Sequence, residues 1–309
     1  MHDDALALAV RETPFASSQS EARQLEAPQL EARQLEEPQL EAPRIETIDA
    51  SAALPVDDDR RRFGGVARLY GDAALDALAA AQVCVVGVGG VGSWAAEALA
   101  RSGVGCLTLI DADHVAASNI NRQVHALDST LGAAKIDVMR LRIADIAPRC
   151  QVRVVDDFIT PENVADLVPA GAFVVDAIDA PRAKAALVAS AVRRRQPIVV
   201  CGAAGGRTDP LRLRRHDLAR TTGDALLAAV RARLRRDYGF ERRPGAKFGV
   251  TAIHSDEPPP AKRRTVPGAG AGFALSCAGY GSLVTVTAAM GLAAASFAIA
   301  RLVAGSSAA

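Results

Sequence analysis

The stretch VCVVGVGGVGSWAAEALARSGVGCLTLIDADHV, residues 83–115, constrains the fold more than any other part of the chain. A β-branched apolar run leads directly into Gly87, Gly89 and Gly92, spaced G-x-G-x-x-G, then into an Ala/Leu-rich helix and a second apolar run ending at Asp111. Glycine lets the backbone turn tightly and approach phosphate oxygens, while the free N–H groups and dipole of the following helix favour negative charge. Asp111, 24 residues after Gly87, is placed to accept hydrogen bonds from ribose hydroxyls. The fingerprint alone does not choose among NAD, FAD, S-adenosylmethionine and ATP.

Short apolar runs recur at 83–87, 106–111, 151–156, 172–178 and 197–201, with helical patterns between them. Such alternation predicts an α/β fold: a Rossmann-like, mostly parallel sheet with helices on both faces. A helix over Asp72 to Ala81 precedes the first run. After Gly206 the alternation stops. Residues 211–218 read as an added strand, 223–237 as a helix carrying Arg231, Arg233, Arg235 and Arg236, and 256–272 as a turn-rich mobile loop. Residues 58–206 are thus expected to form the nucleotide-binding portion, 207–303 a C-terminal extension of the same domain, and 304–309 a tail.

The segment 273–300 has 28 residues without a charge, enough to span a bilayer. Its Gly, Ala, Ser and Thr content suits close packing, and Gly279 and Gly281 weaken a continuous helix. The expectation is a helix buried against the sheet or a second subunit, with membrane association as the less favoured alternative.

Residues 21–46 repeat a five-residue unit, EARQL-EAPQL, in which Pro28, Pro38 and Pro43 interrupt any helix. A repeat this short buries no core, and 1–57 is expected to be a disordered acidic tail. Charge is polarised. Residues 1–59 carry a net charge of −10 and the remainder +11, with a net +9 concentrated between 193 and 243. A basic body suits a polyanionic partner. The five cysteines are widely spaced, without a C-x-x-C pair or a secretory signal, which suits a reducing cytoplasm and excludes a structural zinc knuckle.

The residues beyond Asp111 narrow the chemistry. Asn119, Arg122 and Lys135 add phosphate-directed groups that hydride transfer does not need, whereas attack on the α-phosphate of ATP must neutralise charge on three phosphates. The ordered set Gly87 to Ser93 with Gly90, Asp111 with Asp113, Asn119 to Gln123, Gly132 to Lys135, and Asp176 with Asp179 resembles the ubiquitin-activating-enzyme-like adenylyltransferases, the ThiF/MoeB/HesA superfamily.

That resemblance implies that Asp111 holds ribose, that Asn119, Arg122 and Lys135 face the phosphates, and that Asp179 holds magnesium. It also implies a homodimer in which an arginine reaches ATP across the interface. The relatives' R-Y-x-R-Q element is replaced here by RRFGGVARLYG, leaving Arg62 and Arg68 as candidates, of which Arg62 is preferred.

Within the superfamily, "RFGGVARLYG", "NRQVHAL", "VVDDFITPENVADL", "DAIDAPRAKAALVA" and "GAAGG" are similar to the bacterial tRNA threonylcarbamoyladenosine dehydratases. Such an enzyme activates a carboxylate beside the anticodon as an acyl-adenylate, and the leaving AMP permits cyclisation. The alternative is an adenylyltransferase for a ubiquitin-like sulfur carrier. The absent C-x-x-C pairs and the basic half favour tRNA, and the resemblance suggests a cysteine desulfurase system as an associate. Cys201 is the one candidate thiol nucleophile, and a buried structural cysteine is the preferred reading.

Overall fold

The computed structural model describes residues 58–258 and 281–306. The acidic tail 1–57, most of the 256–272 loop and residues 273–280 of the uncharged segment lie outside the described residues. Helices α1 (Asp58–Tyr70) and α2 (Asp72–Ala80) precede β1 (Gln82–Val86), α3 (Gly92–Arg101) and β2 (Cys106–Ile110). There follow α4 (Lys135–Ile146), β3 (Gln151–Val155), α5 (Val164–Leu167), β4 (Phe173–Asp176), α6 (Pro181–Arg193) and β5 (Ile198–Cys201). The remainder comprises β6 (Leu213–Asp217), α7 (Ala225–Asp237), β7 (Thr251–Ser255) and α8 (Val284–Ser306).

One seven-stranded sheet runs in the order β3-β2-β1-β4-β5-β7-β6. All neighbours pair in parallel except β6 and β7, which makes β6 an antiparallel edge. The alternation along each strand divides its side chains between two cores. Val83 and Val85 of β1, Phe173 and Val175 of β4 and Val199 of β5 face α3, α4 and α8. Cys84 and Val86, Val174, and Ile198 and Val200 face α6 and α7. Both faces are covered, which is why these strands read as unbroken apolar runs rather than as alternating ones.

The five expected strands coincide with β1 to β5 to within a residue or two, and 211–218 contains β6. Strand β7 has no counterpart among the expected runs. Its sequence TAIHS mixes two apolar residues with Thr, His and Ser, yet His254 and Ser255 are buried because the strand is flanked by β5 and β6. His254 Nε2 lies 3.0 Å from His216 Nδ1 on β6, giving the buried ring a partner.

Helix α8 accounts for the described part of the uncharged segment and extends to Ser306, past the boundary drawn at 303. Its span Val284–Gly305 is long and apolar enough to cross a membrane by length and composition. In the fold, Val286, Met290, Ala294, Ala295 and Ala298 are fully buried against the sheet and α3. Each large side chain so buried contributes roughly 1.5–3 kcal/mol, and withdrawing the helix would also expose the sheet face beneath it. A Cβ on Gly291 would collide with the Val91 carbonyl oxygen, so α8 crosses directly over the start of α3.

Candidate functional site

In an open parallel sheet, ligands bind beyond the carboxyl ends of the strands where the order reverses. Here the chain winds from β1 to β2 and β3 on one side and from β4 to β5 on the other, so the reversal lies between β1 and β4. A cavity of about 640 Å³ opens there, lined from all five of these strand ends.

The glycine loop forms its floor. Gly87 has φ +84°, and a Cβ there would lie 3.0 Å from the Ala177 carbonyl group beyond β4. A Cβ on Gly92 would run into the Gly87 carbonyl oxygen, so both positions require glycine to close the turn. Gly89 and Gly90 line the cavity, whereas Gly92 and Ser93 do not. Gly92 shapes the loop, and the buried Ser93 accepts the Val124 N–H through Oγ at 3.4 Å.

Asp111 lies just past β2. Its Oδ2 accepts the Val88 N–H at 2.6 Å and its Oδ1 the Asp113 N–H at 2.9 Å, tying the carboxylate to the glycine loop. Burial pushes its carboxyl up, and nearby Lys135 opposes that rise. Lys135 opens α4, is itself buried, and donates to Asp113 Oδ2 at 2.6 Å. Asn119 accepts the Ala116 N–H through Oδ1 at 3.1 Å, and its carbonyl accepts the Arg122 and Gln123 N–H groups. Arg122 donates to the Ser118 carbonyl at 2.6 Å, and Trp94 Nε1 fixes the Arg122 carbonyl at 3.0 Å. Asp111, Asp113, Asn119, Arg122 and Lys135 thus share one cavity wall.

Asp179 stands on the opposite wall, on the turn from β4 to α6. It does not cap α6, whose N-cap is Ala180 with Pro181 next. The turn is held from below by Lys184, fully buried, which donates to Asp176 Oδ1 and to the Ile178 carbonyl at 2.9 Å each. Among the described residues, no group of three or more His, Cys, Asp and Glu side chains is arranged to hold a metal ion. A single carboxylate beside a phosphate-binding loop nevertheless fits magnesium, which is held by one or two carboxylates together with substrate phosphates.

Arg62 is not brought to this cavity within its own chain. It pairs with Asp58 at 2.6 Å and donates to the Asp145 and Ile146 carbonyls, closing the end of α4. Cys201 is buried and its thiol is pushed up to about 12 by desolvation, which leaves no thiolate for attack. Sequence reasoning gave no role to Asp157, Phe158, Arg207 or Thr287, all of which line the cavity. Asp157 and Phe158 belong to the VVDDFITPENVADL stretch and Arg207 follows GAAGG, but only the fold brings these residues and Thr287 to the strand ends.

The chain matches the ThiF family over residues 64–306. It is 53% identical to a tRNA threonylcarbamoyladenosine dehydratase of Escherichia coli over 199 residues, covering 64% of this chain and 74% of that protein. It is 43% identical to a protein of the same name from Haemophilus influenzae over 250 residues, covering 80% of this chain and 94% of the relative. Among solved structures it is similar to the E. coli dehydratase TcdA in complex with AMP (TM-score 0.75, 45% identity), covering 83% of this chain and 100% of that one. The same enzyme in complex with ATP gives a TM-score of 0.74 at 46% identity, covering 82% and 99%.

Proposed function

The chain belongs to the ThiF family, and from that premise we propose that it is an ATP-dependent enzyme that dehydrates threonylcarbamoyladenosine in tRNA to its cyclic form. The observation that carries this reading is the convergence of a glycine loop, a ribose-facing Asp111 and the cations Arg122 and Lys135 on one cavity, in a chain 43% identical to a dehydratase over 94% of that relative's length.

The chemistry rests on what a carboxylate lacks. It is a poor electrophile until one of its oxygens carries a good leaving group. An oxygen of the threonyl carboxylate attacks the α-phosphorus of ATP, the bond from that phosphorus to the bridging oxygen breaks, and pyrophosphate leaves. A nucleophile within the substrate then closes on the activated carbonyl carbon and loses its proton, and AMP departs with the former carboxylate oxygen. The nucleoside loses one water, and no enzyme nucleophile is needed, in keeping with a Cys201 thiol held protonated.

Within the cavity, the backbone N–H groups of the glycine loop and the start of α3 take the phosphates. Arg122 and Lys135 stabilise charge that builds on the α-phosphate in the transition state. Lys135 leaves Asp113 or shares it with the nucleotide, and Asp113 thereby holds the ammonium poised. Phe158, 57% exposed at the β3 end next to the ribose-facing Asp111, offers a face for adenine. Asp179 would hold magnesium, which neutralises phosphate charge when bound.

The tRNA backbone has a basic surface to meet. Arg193, Arg194 and Arg195 at the end of α6, Arg214 and Arg215 on the edge strand β6, and Arg242 and Arg243 beyond α7 are all exposed. A homodimer is part of this reading, and the arginine expected to act across it is drawn from α1, where Arg62 already has partners of its own.

The test is AMP release with ATP and magnesium, given tRNA that carries threonylcarbamoyladenosine or the same tRNA lacking it. Release confined to the modified tRNA, with loss of one water from the nucleoside, supports the reading; equal turnover with both tRNAs, or none with either, sinks it.

A further inference from the structure

The nucleotide machinery occupies one side of the cavity, and the other side carries a cation that this machinery does not use. From β1 the sheet continues through β4 to β5, each step about 4.8 Å. Asp111, Asn119 and Lys135 lie on the β2 side of the glycine loop. The segment after β5, Gly202 to Gly205 and then Arg207, lines the far side together with Gly223. A nucleotide with its ribose at β2 and its α-phosphate over the glycine loop leaves the β5 side to the group that attacks it.

Arg207 is only 6% exposed. Its Nη2 donates to the Gly223 carbonyl, at 2.6 Å, while Nε and Nη1 are buried without a hydrogen-bond partner among the described residues. The nearby acids are engaged otherwise. Glu257 accepts the Thr208 and Asp209 N–H groups, and Asp224 accepts those of Ala203 and Leu227. A guanidinium stays charged at any working pH, and Glu257, which feels the Arg207 charge, spends both carboxylate oxygens on Thr208 and Asp209 rather than on the guanidinium. Arg207 thus lines the reaction cavity with no carboxylate hydrogen-bonded to it among the described residues, and with donors to spare for an anion. Its planar fork matches a carboxylate, which it meets with two parallel N–H···O bonds.

Resting on the dehydratase reading, we propose that Arg207 forms the subsite for the substrate's threonyl carboxylate and presents it to the α-phosphate from the β5 side. The residue thereby distinguishes a carboxylate-bearing nucleoside from a neutral one, a specificity that a glycine-rich wall cannot supply.

The experiment compares binding, in the presence of magnesium and a non-hydrolysable ATP analogue, of modified tRNA with that of the same tRNA carrying a carboxamide in place of the carboxylate. Wild type is expected to favour the carboxylate at least tenfold. Arg207→Met should abolish that preference while its affinity for the ATP analogue stays within twofold of wild type, and Arg207→Lys should restore part of it. Retained preference in Arg207→Met, or equal weakening toward both tRNAs, overturns the subsite. So does a loss confined to the ATP analogue, which would assign the guanidinium to the phosphates. Failure of the wild type to release AMP with modified tRNA would instead sink the dehydratase reading itself.

Discussion

Replacing Lys184 by methionine breaks a fully buried ion pair beneath the turn that carries Asp179. Lys184 and Asp176 are both 0% exposed, and Nζ makes three contacts: 2.9 Å to Asp176 Oδ1, 3.3 Å to the Asp176 carbonyl and 2.9 Å to the Ile178 carbonyl. Among the described residues Asp176 Oδ2 has no hydrogen-bond partner, so the ammonium and the Ile178 N–H, 3.1 Å from Oδ1, are what compensate the carboxylate. Burial already pushes the Asp176 carboxyl up, and Lys184 opposes that rise. Removing one partner of a buried pair costs about 3–5 kcal/mol. For a domain of this size that corresponds to a fall in Tm of roughly 6–20 °C.

The variant also gains a pH signature. Without Lys184 the folded-state carboxyl sits above its unfolded value, which favours the folded state at low pH. The deficit is therefore largest at neutral pH and shrinks as pH falls toward the ordinary aspartate range. Asp176→Asn combined with Lys184→Met removes the orphaned charge and should recover much of the loss. Denaturant unfolding of the three variants at neutral and acidic pH reads all of this. A Lys184→Met protein within about 1 kcal/mol of wild type, or a double variant no better than the single one, would refute the reasoning.

Removing a charge that stabilises the transition state costs about a hundred- to a thousandfold in rate; Lys135→Ala and Asp179→Asn are each expected to lose that much pyrophosphate release at saturating ATP, and a loss under tenfold would remove the residue from its role. Gly92→Ala and Gly89→Ala should both weaken ATP binding, but only Gly92→Ala should lower Tm, because its methyl meets the Gly87 carbonyl whereas that of Gly89 finds nothing nearer than 3.9 Å; an unchanged Tm in Gly92→Ala contradicts the packing argument. His125 is buried with both ring nitrogens unpartnered, and burial brings its pKa down to about 4. Its folded form stays neutral while the unfolded chain protonates, so stability present above pH 6.5 is lost as pH falls toward 4, by roughly 3 kcal/mol at most. Against His125→Leu, the wild type should lose about that much between pH 7 and pH 4, and a constant difference would show that the imidazole finds a partner.

How far the sequence was legible depended on the period of its pattern. Strands buried on both faces announce themselves as apolar runs, and β1 to β5 did so. Strand β7 did not, because its burial is imposed by its neighbours and its polar His254 is satisfied by His216 across the sheet, a pairing 38 residues distant. The glycine loop was readable because Gly87 and Gly92 answer a local backbone demand. Spacing alone does not tell a residue that touches a ligand from one that makes room for it, and the tight fit of Gly92 against the Gly87 carbonyl shows only in the fold. Arg207 was passed over for the opposite reason: it directly follows the GAAGG stretch, but that its Nε and Nη1 lack hydrogen-bond partners among the described residues appears only once the fold is known.

In the proposed reaction the carboxylate of threonylcarbamoyladenosine attacks ATP at the α-phosphorus. This attack is tested most directly with tRNA whose threonyl carboxylate is enriched in heavy oxygen, by mass spectrometry of the products of a single turnover. Adenylation predicts one heavy oxygen in the phosphate of AMP and none in pyrophosphate. Heavy oxygen recovered in water, pyrophosphate or inorganic phosphate, with unlabelled AMP, would contradict it.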